Sequence, residues 1–156
     1  MTEEAFAQAV EAYSDTLFRV AYSYLRNRSD AQDVMQDALL KLYIETRRFA
    51  SPEHEKRWLI RVAVNESKKL LRSAWRRCSV PLEEWDEPVV FDTLAQSDLF
   101  QQVMALPPKY RLTVYLHYYE SYSVREIAET VGANPSTVQT WLMRARGLLR
   151  KSLQEA

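Results

Sequence analysis

Glycine occurs only twice in these 156 residues, at 132 and 147, and no stretch alternates apolar and polar residues for long enough to read as a strand. The remaining composition favours helix, and the apolar residues recur at helical spacing. The fold class expected is therefore all-α, as two small helical domains. A first helix is predicted from about Glu3 to Arg26, with Phe6, Val10, Tyr13, Leu17, Val20 or Ala21, and Tyr24 on its core side. A second is predicted to open on a capping box, Ser29 with Gln32, and to run to about Arg48. Ser51-Pro52 then starts a third helix, and a fourth is expected from near Asn65 to Arg77. Residues 78–97 contain Pro81 and Pro88 without any helical stripe and read as a linker. Beyond it, one helix begins at Ser97 or Asp98 and stops at Leu106-Pro107-Pro108, and another runs from Tyr110 to Tyr119. The boundaries expected are 1–77, a linker over 78–97, and 98–156.

One of the two glycines is placed where a helix must stop. In SYSVREIAETVGANPSTVQTWLMRARGLLRK, from Ser121 to Lys151, Ile127, Ala128 and Val131 form an apolar stripe, and Gly132 can take the positive φ of a helix end. Asn134 or Ser136 can cap the next helix, with Pro135 in its first turn, where a missing N–H costs nothing. The small Ala128 lets a second helix cross closely. This is the pattern of a helix-turn-helix, whose second helix enters the DNA major groove. On that helix Val138, Leu142, Ala145 and Leu149 share the core sector, with Trp141 and Leu148 at its edge. Ser136 stands at the opening of that helix. The opposite side carries Gln139, Thr140, Met143, Arg144, Gly147, Arg150 and Lys151, and Arg146 adds to the positive charge. No acid occurs between Pro135 and Leu153. Gln and Arg can bond base edges bidentately, and Thr or Met can pack on a thymine methyl. A merely solvated amphipathic helix would leave the preceding turn as coincidence.

Net charge is zero, with 21 basic and 21 acidic residues, but its distribution is not even. From Arg47 to Arg77 ten Lys or Arg face three Glu, a net +7, whereas six acids and no base lie between Pro81 and Asp98. A basic segment of that density attracts phosphate. The acidic block, with Glu83, Glu84, Asp86 and Glu87, is either a functional spacer or an ordinary solvated linker. Apolar residues at 47% suffice for packed cores. No apolar run reaches membrane-spanning length, and MTEEAFAQAV is acidic and amphipathic, unlike a signal peptide, so a cytoplasmic location is expected. Cys78 has no second cysteine to pair with, and with only His54 and His117 beside it no metal site and no cofactor are expected.

Within DAQDVMQDALLKLY, from Asp30, Ala31, Val34, Ala38 and Leu42 account for a core side. Leu40 lies opposite, among Asp33, Gln36 and Asp37. A lone exposed Leu is ordinary, but one ringed by acids also suits a helix that docks on a basic partner. The segment from Arg47 to Arg77 mixes its cations with Phe49, His54, Trp58, Asn65 and Trp75, a combination suited to single-stranded DNA, where unstacked bases lie on rings. Trp58 with Val62 reads more readily as core than as a stacking platform. Asn65 ends the run RWLIRVAVN, where an unpartnered buried amide would be costly; it is either a cap or a reader of a flipped base.

Taken together, these motifs resemble the extracytoplasmic-function class of bacterial sigma factors, the small two-domain promoter-recognition subunits of RNA polymerase. The likeness covers about residues 5–77 and 98–153. DAQDVMQDALLKLY is similar to the region-two helix that grips the clamp of the polymerase β′ subunit, which implies core-polymerase contacts by Asp33, Gln36, Asp37 and Leu40. RWLIRVAVNESKKLLRS is similar to the segment that melts and reads the −10 element. That implies Arg57, Arg61, Asn65, Lys68 and Arg72 as DNA contacts, with Asn65 in a specificity loop. The stretch from Leu106 to Lys151 is similar to region four, which reads the −35 duplex and meets the β flap, implying Ser136, Gln139, Thr140, Met143, Arg144 and Arg146. The resemblance further implies no catalysis, an RNA-mimicking linker, and an anti-sigma protein as inhibitory partner. Two departures stand out. Lys69 occupies a position where the family often has Asp, and Trp141 replaces a common Arg, so the −35 preference should differ. The competing reading is an autonomous helix-turn-helix regulator, which would need a dimer interface to read two half-sites. A DNA-processing enzyme lacks paired carboxylates for a metal, and a purely protein-binding adaptor does not account for the partition of charge.

Overall fold

The computed structural model describes residues 1–77 and 98–155, and each of these two stretches is a compact unit. Among the described residues there is helix and no strand. The acidic block at 83–87 and Cys78 lie outside the described residues.

The first unit is three mutually packed helices, α1 (Glu3–Leu25), α2 (Arg28–Ile44) and α3 (Pro52–Arg77). The Thr2 hydroxyl accepts from the Ala5 N–H and caps α1, and Arg26 ends it in the left-handed region at φ 50°, its N–H donating to the Tyr22 carbonyl. A left-handed turn at a residue with a Cβ costs roughly 1–2 kcal/mol. It reverses the chain within two residues, because Asn27 immediately caps α2 by accepting from the Asp30 N–H at 2.9 Å. The cap is therefore Asn27 rather than the expected Ser29, which is exposed inside the first turn. Leu17, Val20, Ala21 and Leu25 meet Ala31, Val34, Ala38 and Leu42 and, from α3, Leu59, Ile60, Ala63 and Val64, all buried. Phe6, Val10, Tyr13 and Tyr24 of α1 are only half-buried.

The expected break near Asn65 does not exist: α3 runs unbroken for 26 residues. Asn65 is exposed, so its amide imposes no penalty that would end the helix, and Ser67 behind it is small enough to be buried in the packed face. The buried stripe on α3 is 59, 60, 63, 64 and 67, and Trp58 and Val62 stand beside it half-buried.

The second unit contains α4 (Asp98–Met104), α5 (Pro108–Val114), a π-helical turn (Tyr115–Tyr119), α6 (Val124–Val131) and α7 (Pro135–Glu155). The helix expected over Tyr110–Tyr119 thus starts earlier and changes winding at Tyr115, and it exits through Ser121 at φ 60°. α4, α5 and α6 all pack on α7. Ser123 and Glu126 form a reciprocal capping box on α6, and Gly132 closes it at φ 75°. The N–H groups of Gly132 and Ala133 both donate to the Ala128 carbonyl, and Pro135 opens α7, whose first backbone bond runs from the Val138 N–H to the Asn134 carbonyl. Ile127, Ala128 and Val131 are buried against Val138, Leu142 and Ala145, which fixes the crossing of the two helices.

Candidate docking and nucleic-acid surfaces

Packing Ala31, Val34, Ala38 and Leu42 inward leaves the other side of α2 to solvent. Asp33, Gln36 and Asp37 are exposed there, and Leu40 is 57% exposed. Ile44, which the sequence reading passed over as part of the helix end, is 74% exposed. At about 100° per residue it falls between Leu40 and Asp37 on the wheel, so the surface has two aliphatic side chains in its centre. Neighbouring Tyr43 is partly held by an edge-on contact with Phe6, centroids 5.0 Å apart. Lys41 pairs with Glu66 of α3 and locks the helix pair from the flank.

Because α3 is a single helix, Arg57, Arg61, Asn65, Lys68 and Arg72 share one side within about 80° of arc and roughly 22 Å of length. Two separate helices would not have kept them aligned. Arg61, Asn65 and Arg72 are exposed. Arg57 is tied into the first turn by its Nε–H donating to Glu53 at 3.2 Å. The Lys68 ammonium has a lowered pKa, first through burial and then through repulsion from Arg72. Asn65 lies on this helical stripe and not in a loop, which corrects the expected placement.

A loop does exist beside the stripe, over residues 45–51, and sequence reasoning had absorbed its start into α2. Its backbone is fixed by the Arg47 N–H donating to Glu45 Oε1, by the Ala50 N–H donating to His54 Nδ1, and by Ser51 Oγ accepting from the His54 N–H. Phe49 packs on His54 and on Trp58 at 5.3 and 5.4 Å between ring centroids. Arg47 and Arg48 are exposed, and an open concavity of about 490 Å³ is lined by Met1, Leu42, residues 45–49 and Glu55. Nearby, burial pushes the Tyr13 phenol up to about 12, helped by its hydrogen bond to Glu55 and by the charges of Glu55 and Glu53.

In the second unit Val138, Leu142 and Ala145 bury one side of α7, and its other side is open. Ser136, Gln139, Arg144 and Arg146 are exposed, Met143 is 64% exposed, and Thr140 is half-buried with its hydroxyl donating to the Ser136 carbonyl. These residues do come together on one face, but the two arginines stand at its opposite edges, about 160° apart. Arg146 leans on Tyr118, its Nε–H donating to the phenol oxygen at 2.6 Å and its guanidinium 5.7 Å from the ring centre. Trp141 is half-buried, with the Lys109 ammonium 5.9 Å above its ring. Among the described residues no His, Cys, Asp and Glu side chains are grouped to hold a metal ion, and no helix is long and apolar enough to cross a membrane.

Known proteins carry the same two modules. Residues 9–77 match the family model for sigma-70 region 2, and residues 97–149 match that for sigma-70 region 4. The chain is 32% identical to the RNA polymerase sigma-E factor of Streptomyces coelicolor over 161 residues, covering 95% of this chain and 85% of that protein. It is 28% identical to the RNA polymerase sigma factor SigV of Bacillus subtilis, covering 97% and 93%. Among solved structures, the sigma factor RpoE of Bartonella quintana, crystallised with the anti-sigma factor NepR, matches with a TM-score of 0.71 at 22% identity, covering 97% of this chain and 98% of that one. At that identity the structural likeness speaks for the fold.

Proposed function

This chain belongs to the extracytoplasmic-function branch of the RNA polymerase sigma factors, and from that membership we propose how its surfaces divide the work. The chain directs core RNA polymerase to promoters, acts in the cytoplasm, and leaves phosphodiester chemistry to the polymerase. Asp33, Gln36, Asp37, Leu40 and Ile44 form the docking face for the β′ clamp. The two aliphatic side chains supply buried area, and the acids steer toward a basic partner helix. Arg61, Asn65, Lys68 and Arg72, with Arg57, track the unpaired −10 strand. The loop with Arg47, Arg48 and Phe49 adds cations and a ring against which an unstacked base can lie. The helix-turn-helix places α7 in the −35 major groove, with Ser136, Gln139, Thr140 and Met143 toward the bases and the arginines at the groove's edges. Residues 1–77 and 98–156 serve as the two modules, and the spacing between them measures the promoter.

The observation that carries this reading is the exposure of Leu40 and Ile44 among acids on a helix whose other side is fully packed. A subunit that must seize a polymerase needs such a face, whereas a regulator acting on DNA alone would need it only for a dimer contact. The β flap is proposed to receive the second unit, and an anti-sigma protein, as NepR is for the Bartonella relative, to keep the chain inactive until released. The test is reconstituted transcription: core polymerase plus this chain on a genomic fragment library should yield discrete start sites that share −35 and −10 sequences. Start sites that persist unchanged when the chain is omitted would refute the reading. A chain that is dimeric in solution and protects two half-sites without polymerase would favour the autonomous regulator instead.

A further inference from the structure

We propose that Tyr118, outside the helix-turn-helix proper, is a DNA-contacting residue that works with Arg146 as a composite grip on one phosphate of the −35 duplex. The proposal rests on the reading of α7 as the −35 helix. Tyr118 is 53% exposed although it stands only two residues past the buried Tyr115–Leu116 pair. The segment that presents it is built with some care. The π-helical winding at Tyr115–Tyr119 alters the register, and Tyr115 Oη donates to Glu120 at 3.1 Å. His117 Nδ1 bonds the Tyr122 carbonyl at 2.8 Å, and the Tyr122 N–H returns to the Leu116 carbonyl. Short π segments recur at functional positions.

What Tyr118 is aimed at is the flank of α7 that carries Gln139, Arg146 and Arg150, which lie within about 40° of one another on the wheel. Arg146 comes some 16 Å along α7 from Pro135, at 1.5 Å per residue. The first turns of a recognition helix meet base edges, and residues that far along its flank reach the sugar–phosphate wall. The phenol oxygen accepts the Nε–H of Arg146, so the guanidinium is left with its two Nη groups for an end-on bidentate bond to a phosphate. A phenol that accepts one hydrogen bond still has its own proton to donate. Both groups can therefore serve the same phosphate. The ring beneath the guanidinium holds its plane and lowers the entropy lost on binding.

The experiment uses holoenzyme reconstituted from core polymerase and the full chain, with a mapped promoter fragment and the same fragment carrying a scrambled −35 element. Arg146→Ala should weaken binding and flatten the dependence of log affinity on log salt by about one ion. Tyr118→Phe keeps the ring and the charge of Arg146, so the salt slope and melting temperature should stay as in the wild type. Its affinity should nevertheless fall about ten-fold, equally on both fragments, since a phosphate contact carries no sequence information. Tyr118→Phe binding within two-fold of the wild type, while Arg146→Ala is weakened, would overturn the role of Tyr118 and leave the −35 reading standing. A Tyr118→Phe loss confined to the matched −35 fragment would overturn the phosphate assignment. If neither Arg146→Ala nor Arg144→Ala affects either fragment, the −35 reading itself falls, and this inference with it.

Discussion

Replacing Leu40 and Ile44 together by alanine should weaken binding to core RNA polymerase about 30- to 150-fold while leaving the first unit folded. Fully burying a Leu or Ile side chain is worth roughly 1.5–3 kcal/mol. In the free chain Leu40 is 57% and Ile44 74% exposed, so more than half of each remains to be buried on docking. Allowing for the Cβ that alanine retains, the loss is about 1–1.5 kcal/mol per residue, or about 2–3 kcal/mol for the pair, which converts to that range of affinity. The folded state should barely respond. Exposed substitutions shift stability by about 0.5 kcal/mol or less, and alanine is the better helix former at both positions. Anisotropy of the fluorescently labelled full chain titrated with core enzyme measures the affinity, and a circular-dichroism melt monitors the fold. A double variant that binds within three-fold of the wild type, with an unchanged melt, would remove these residues from the docking face. Ala38→Asp makes the contrast, since it forces a charge into a position with no solvent exposure and should unfold the unit.

Leu40→Asp alone should abolish co-elution with core polymerase, because it adds an unpaired charge at the centre of the same contact. Arg144→Ala is expected to cost about 1–3 kcal/mol at one −35 position if its fork bonds a base; an equal loss on random duplex would make it a phosphate contact. Gly147 stands exposed in the middle of α7, and a Cβ built there meets nothing within 4 Å, so Gly147→Ala should stabilise the second unit by about 1 kcal/mol, seen as a rise of about 4–8 °C in its melting transition. Burial holds the Tyr24 phenol neutral up to about 12 against 10.0 when free. The unfolded chain gives up that proton first, so stability should fall by up to about 2–3 kcal/mol as pH rises from about 10 to about 12. In Tyr24→Phe that portion of the fall should vanish from urea midpoints compared at pH 8 and pH 11; an undiminished fall would show that Tyr24 is not its source.

Much of this molecule is local chemistry and could be read in one dimension. The apolar stripe of α2, the positive-φ glycine at 132, Pro135 at the head of α7 and the acids around Leu40 each depend on residues within one or two helical turns, and each stands in the structure where its spacing put it. The capping signal at Ser123–Glu126 was equally local and went unread, whereas the one inferred at Ser29 gave way to Asn27, two residues earlier. What the one-dimensional pattern did not decide is anything set by a distant neighbour. Whether an amide at 65 ends a helix depends on whether it is buried, and only the packing of α3 on α1 and α2 turned it outward and kept the helix whole. Ile44 looks like a core residue until the other side of α2 is filled. Tyr118 and Arg146 are 28 residues apart and meet only because α5 lies on α7 and the π turn re-aims the ring. Sequence therefore settled the helical class, the turn at Gly132 and the distribution of charge, because those follow from backbone geometry and short-range contacts; tertiary packing settled whether α3 stays whole and which faces remain open, because exposure belongs to the assembled unit and to no single segment.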